Sequence, residues 1–174
     1  MSWDGYITSL MAATDGVAYV SGAMICGLDG STWATSDNMK VSGVFSLRRV
    51  RRFLLLVEFR ACSLARLVPA LQAGPRCLQP EQVKMLIGDT STFHQSGPVV
   101  AGMKCMLIRD QYDDPSSYCL QLKSKKDDDG NTFHICVGKT NTAVVIAKGT
   151  KDANGGQVTA KVFTIVSYLR GAGY

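Results

Sequence analysis

The stretch YCLQLKSKKDDDGNTFHICVGK, residues 118–139, constrains the fold more than any other part of the chain. Leu120 and Leu122 alternate with Gln121 and Lys123, and Phe133, Ile135 and Val137 alternate with Thr132, His134 and Cys136. A period of two belongs to the β-strand, whose side chains point to opposite faces in turn. DDDGN between the two runs carries turn residues. The stretch therefore reads as an antiparallel hairpin with one core face and one polar face. Lys123, Lys125, Thr132 and His134 are expected together on the polar face.

The remaining elements follow from the same kind of reading. Ser2 is placed to cap a first helix, and Trp3, Tyr6, Ile7, Leu10 and Met11 recur at its 3–4 spacing. TDG at 14–16 ends it. Residues 17–30 and 31–36 read as two strands joined by an Asp-Gly turn. PEQVKMLIGD, 80–89, reads as a short helix, with Pro80 near its start and Gly88 past its end. The run 99–112 is apolar enough for a central strand, and 142–149 for another buried one. Residues 154–174 begin at a Gly turn and become a helix with Val158, Val162, Ile165, Val166 and Leu169 on one side. This order predicts an α+β domain with an antiparallel sheet and helices at both termini.

The net charge of +5 on 174 residues suggests an anionic partner until its distribution is considered. Residues 44–77 hold seven arginines against one acid, Glu58, which leaves about −1 for the rest of the chain. The basic excess belongs to that segment and not to the domain. MSWDGYITSL has an early acid where a secretory signal needs a basic region and an apolar run, so no secretory signal is expected there. Cys105, Cys119 and Cys136 lie in strand-like runs and read as free buried thiols. No Cys-x-x-Cys, His-Glu-x-x-His, Gly-x-Ser-x-Gly or phosphate-loop pattern occurs, and DDDG lacks the twelve-residue calcium loop ending in Glu. Neither an enzyme nor a metal or cofactor site is expected.

The aromatic residues carry more information. Trp3 and Tyr6 lie one turn apart on the first helix, Trp33 lies in an early strand, and Tyr168 and Tyr174 close the chain. Read by pattern alone they are core or half-buried residues. Beside terminal helices that already own apolar faces, they can instead line a shallow groove. Such grooves recognise polyproline II ligands, whose pre-formed conformation loses little entropy on binding.

SWDGYITSLM, GSTWATS (30–36), KCMLIRD (104–110), LKSKKDDDGNTFHICVGKT and VSYLRGAGY, in this order, resemble the profilin family over about 140 residues. The resemblance implies a central antiparallel sheet with both terminal helices packed on one face. It implies a cytoplasmic, cytoskeletal protein that binds monomeric actin and proline-rich proteins, interacts with phosphoinositides, and regulates filament assembly. The family's proline-rich-ligand positions fall on Trp3, Tyr6, Trp33, Tyr168, Leu169 and Tyr174, with Tyr168 where histidine is common. Its actin positions fall on Lys104, Arg109, Lys123, Lys125, Thr132 and Gly156. Asn154, Thr159 and Ala160 stand where vertebrate-type members commonly carry histidine, asparagine and lysine. These departures imply actin binding weakened by about 1–3 kcal/mol.

The resemblance stops at about 42–78, where roughly 35 extra residues interrupt a single 1–174 domain. Three readings of the arginine-rich segment stand. Leu47, Val50, Phe53, Leu54 and Val57 fall on one helical arc opposite Arg48, Arg49, Arg51 and Arg52, as in a membrane-surface helix, although Leu55 and Leu56 spoil the pattern. A nucleic-acid site lacks interleaved aromatics, and no nucleic-acid partner is expected. An insertion without evolved function accounts for the abrupt change from lysine to arginine usage. The alternative function is thus a peripheral membrane or phosphoinositide-binding protein that uses the segment.

Overall fold

The structure, a computed structural model, describes residues 2–39, 80–127 and 129–174. The expected insertion at about 42–78 lies outside the described residues. Seven strands form one sheet: β1 (Val20–Gly27), β2 (Thr32–Thr35), β3 (Val99–Val100), β4 (Met103–Gln111), β5 (Cys119–Ser124), β6 (His134–Lys139) and β7 (Ala143–Gly149). Their order is β2-β1-β7-β6-β5-β4-β3, and every neighbouring pair is antiparallel. The described helices are α1 (Trp3–Met11), α2 (Pro80–Ile87), α3 (Phe93–Ser96) and α4 (Gly155–Gly171), with a 3-10 turn at Asp37–Met39.

Alternation along the strands divides the core into two layers. Ala23, Ile25, Cys119, Cys136, Ala143, Val145 and Ala147 face the terminal helices, where they meet Ile7 and Leu10 of α1 and Val158, Val162, Val166 and Leu169 of α4. Met24, Cys26, Leu120, Leu122, Ile135, Val137, Val144 and Ile146 face the other way, onto Met39, Val83, Leu86 and Phe93. Met39 and Val83, on either side of the arginine-rich segment, therefore belong to the same buried layer. Cys26, Cys105, Cys119 and Cys136 are buried and none of them is in a disulfide.

The face under α4 is built from small residues. A Cβ added to Gly138 would lie 2.5 Å from Val166 Cγ2 and 2.7 Å from Val162 Cγ1, and one added to Gly149 would lie 2.9 Å from Val158 Cγ2. The helix thus rests almost directly on the backbone of β6 and β7. Its start is fixed by a capping box: Asn154 Oδ1 accepts from Gln157 N, and Gln157 Oε1 accepts from Asn154 N, each at 3.0 Å.

Two sequence expectations require correction. The hairpin's second face is not simply polar, because α4 covers part of it and buries Cys119 and Cys136. Only its open end stays accessible, and β6 begins at His134, so Thr132 lies in the connection and not in the strand. The run 99–112 is not a central strand. It turns back at Ala101 and Gly102, with φ of 48° and 78°, to make edge strand β3 and its neighbour β4. Positive φ at both turn residues matches the twist of a two-residue hairpin, but Ala-Gly is a weaker sequence signal for it than Asn-Gly.

Gly138→Ala should destabilise the protein by about 1–3 kcal/mol through overpacking against Val162 and Val166. Urea unfolding would register this as a lower midpoint with an unchanged slope.

Candidate functional site

The two ends of the chain meet in an aromatic cluster. Ser2 Oγ accepts from Asp4 N at 3.3 Å and starts α1, while Ile7 and Leu10 anchor the helix to the sheet. That orientation leaves Trp3 and Tyr6 half-buried along its edge. Trp3 lies 5.6 Å from Tyr6, 4.7 Å from Trp33 and 5.3 Å from Tyr174 between ring centroids, and Tyr6 lies 6.0 Å from Tyr168. Trp33 Nε1 donates to Ser31 Oγ at 3.0 Å, and Ser31 Oγ donates to Asp29 Oδ1 at 2.6 Å, which orients the indole. Backbone bonds hold the last residue: Tyr174 N donates to Leu169 O at 2.9 Å, and Asn141 N donates to Tyr174 O at 3.0 Å.

Of the six residues assigned to this groove, five share its surface. Trp3, Tyr6, Tyr168 and Tyr174, with Ala172, line a cavity of about 190 Å³, and Trp33 packs beside Trp3. Leu169 does not reach the surface; it is fully buried in the core and supports the cluster from below. Tyr168 and Tyr174 remain 52% and 44% exposed, so their rings are open to a ligand. Partial burial, with the neighbouring Tyr168 and Tyr174 phenols, pushes the Tyr6 phenol above its ordinary value. The groove holds no imidazole or carboxylate among these side chains.

A second surface lies where α4 stops short of the sheet edge. Met106 pairs with Lys123, which pairs with His134, and Arg109 pairs with Gln121. Lys125 N donates to Lys104 O at 2.8 Å, which brings those two lysines to the same end. A bulge between Leu107 and Arg109 re-aims the strand there. Met106 and Ile108 are 52% and 51% exposed among these cations. Gly155, in the first turn of α4, abuts His134 and Gln121, and Gly156 is exposed beside it. Lys104, Arg109, Lys123, Lys125 and Gly156 thus share one region with the N-terminus of α4, and Thr132 sits half-buried in the adjoining loop.

Met106 and Ile108 were missed by sequence reasoning. Their signal was in KCMLIRD, where apolar residues occupy both strand parities in the part of β4 beyond its short pairing with β3. Asn154 and Ala160 are exposed, and Thr159 is half-buried. Burial pushes the Cys105 thiol up to about 11, so it remains protonated at neutral pH.

Desolvation, then the charge of Lys123, lowers the His134 pKa below its ordinary value of 6.5. The folded state therefore favours neutral imidazole, and its contribution to stability is complete above that value. As pH falls from about 6.5 through the folded value, the unfolded chain binds the proton first and stability drops. His134→Asn should flatten this part of the stability–pH profile, as measured by urea unfolding from pH 7.5 to 5.

Comparison with known proteins matches this geometry. A family model described as Profilin covers residues 1–174. Human Profilin-1 is 31% identical over 98 residues, 56% of this chain and 70% of that protein. Mouse profilin IIa, solved in complex with a double repeat from the FH1 domain of mDia1, superposes with a TM-score of 0.70 at 22% identity, covering 100% of both chains. LokiProfilin1, solved in complex with rabbit actin, superposes at a TM-score of 0.50 and 14% identity, covering 97% of this chain and 94% of that one. With the family model spanning the whole chain, and with the sheet and terminal helices arranged as in these structures, the chain belongs to the profilin family.

Proposed function

We propose that this protein is a non-enzymatic adaptor of the cytoplasm and actin cytoskeleton, which binds monomeric actin on one surface and proline-rich segments on another. The observation that carries the reading is the aromatic cluster, in which Trp3, Tyr6, Trp33, Tyr168 and Tyr174 converge from α1, β2, α4 and the residues just past α4. A polyproline II chain repeats every three residues and presents flat pyrrolidine rings and free carbonyls. Aromatic faces at 4.7–6.0 Å spacing pack on the rings, and the tyrosine hydroxyls and indole N–H groups are donors for the carbonyls.

The actin surface follows from charge and exposure together. Lys104, Arg109, Lys123 and Lys125 give a basic rim that suits an acidic partner and speeds its approach. Met106 and Ile108 supply an apolar centre of the kind that dominates binding energy once water is excluded. The two surfaces lie on different parts of the molecule, at the C-terminal and N-terminal ends of α4. Both ligands can therefore be held at once, and the protein would deliver actin to a proline-rich assembly factor.

Tryptophan fluorescence titrated with poly-L-proline tests the groove, because Trp3 and Trp33, the chain's two tryptophans, lie in it. A saturable change is expected, with affinity constant from pH 6 to 8.5 because the groove is lined by phenols and indoles. Trp3→Ala should weaken binding at least about tenfold, close to 1.4 kcal/mol. An unchanged spectrum in folded protein would refute the groove.

Met106→Glu should weaken actin-monomer binding by about 10- to 100-fold, as one central contact is worth about 1–3 kcal/mol. It should leave the poly-L-proline affinity intact. Sedimentation of actin monomer with each protein checks this.

A further inference from the structure

Strand pairing does not fix Trp33. β2 is the outermost strand of the sheet on its side, and its register passes from Ile25↔Ala34 to Cys26↔Thr32. Trp33 therefore falls at a bulge, without a residue opposite it on β1. A bulge re-aims a side chain but takes away the cross-strand neighbour that ordinarily holds it. Yet Trp3 rests against this ring, with centroids 4.7 Å apart.

The turn before Trp33 supplies the missing hold. Its Nε1 donates to Ser31 Oγ at 3.0 Å, Ser31 Oγ donates to Asp29 Oδ1 at 2.6 Å, and Ser31 N donates to the same oxygen at 3.0 Å. Charge sets the direction of this chain, because a carboxylate only accepts and a hydroxyl has one proton to give. Ser31 gives that proton to Asp29 and turns a lone pair to the indole. The Ser31 hydroxyl, and then its N–H, hold the Asp29 carboxyl below the usual carboxylate range, so it is ionised at neutral pH. The turn itself is anchored: Gly27 N donates to Ser31 O at 2.7 Å, and Leu28 N donates to Thr142 O at 3.2 Å. Asn141, the neighbour of Thr142, holds Tyr174, so one turn between β6 and β7 references both Trp33 and Tyr174.

We propose that Asp29 is a positioning residue of the groove, which fixes Trp33 through Ser31 and so sets the affinity for proline-rich segments without touching them. The inference rests on the proline-rich-ligand reading of the aromatic cluster. Neither Asp29 nor Ser31 is among the residues that line the aromatic cavity. Their effect is preorganisation: an indole already held in place loses less freedom when the ligand packs on it. Gly27 is fitted to the same arrangement. A Cβ added there would collide with Asp29 Oδ1 and lie 2.8 Å from Ser31 Oγ and 3.1 Å from Trp33 Cζ2.

Isothermal titration of the full chain with a proline undecamer tests this with Asp29→Ala, Ser31→Ala and the double variant. Each single substitution should weaken binding about three- to tenfold. The double variant should be within about twofold of the weaker single one, since both cut the same chain. Asp29→Asn, which keeps the accepting oxygen, should restore affinity to within about twofold of the unaltered protein. Indole proton exchange, read by NMR and assigned with Trp33→Phe, should quicken at least fivefold for Trp33 in both single variants and stay unchanged for Trp3. General loosening of the fold would quicken both indoles and lower the urea midpoint. Unchanged affinity in both single variants, losses that multiply in the double variant, or unchanged Trp33 exchange overturns the positioning role and leaves the groove in place. Failure of the unaltered protein to bind the undecamer overturns the groove reading and the role of Asp29 with it.

Discussion

Contact between α4 and the small-residue face of the sheet is the constraint on which the rest depends. Gly138 lies under Val162 and Val166, and Gly149 under Val158, so the helix axis is drawn down close to the strand backbones. Ala143, Ala147 and Cys136 continue the same low floor. Close approach of this kind is unforgiving, because interiors are packed to the density of organic crystals and a single methyl is felt. It fixes both the height and the direction of α4. Everything at its two ends is then positioned by one rigid body, with Tyr168 and Tyr174 at the C-terminal end and Asn154 and Gly156 at the N-terminal end.

The larger side chains occupy the opposite face of the sheet. Met24, Leu120, Leu122, Ile135 and Ile146 pack there against α2, α3 and the 3-10 turn. The division has a consequence for the arginine-rich segment, whose flanks, Met39 and Val83, are both pinned into this layer. Loop-closure entropy rises only slowly with length, so a fold anchored on both flanks tolerates a long connection. The aromatic groove and the basic surface are both built on the other side of the sheet, around α4.

Uneven coverage of the sheet produces both surfaces. Where α1 and α4 lie side by side, their rims carry aromatics that no described residue covers, and a groove results. Beside the N-terminus of α4, the strands β4, β5 and β6 emerge with Met106, Ile108, Lys104, Arg109 and Lys125 exposed and Lys123 half-buried. Tyr168 illustrates how local chemistry adjusts a shared plan: its phenol supplies both an aromatic ring and a hydrogen-bond donor at the rim of the groove.

The sequence by itself determined the periodic elements. The 118–139 alternation, the Asn154 helix start and the 3–4 spacing of Ile7 and Leu10 are local signals, and each sets a structure through contacts within a few residues. The ordered motifs also made the family legible, and with it most of the groove. What only the tertiary structure decided is which faces are covered. Cys136 and Gln121 have similar local patterns, yet one is sealed beneath α4 and the other is half-open beside its end. Leu169 belongs to the floor of the groove and not its surface, which depends on how α4 is rotated against β6. The place of β4 beside the two-residue edge strand β3, which pairs only with Met103 and Lys104 and stops short of Met106 and Ile108, depended on an Ala-Gly reversal with little local signature. Burial is a property of what packs from elsewhere in the chain, and a sequence pattern records only which residues would tolerate it.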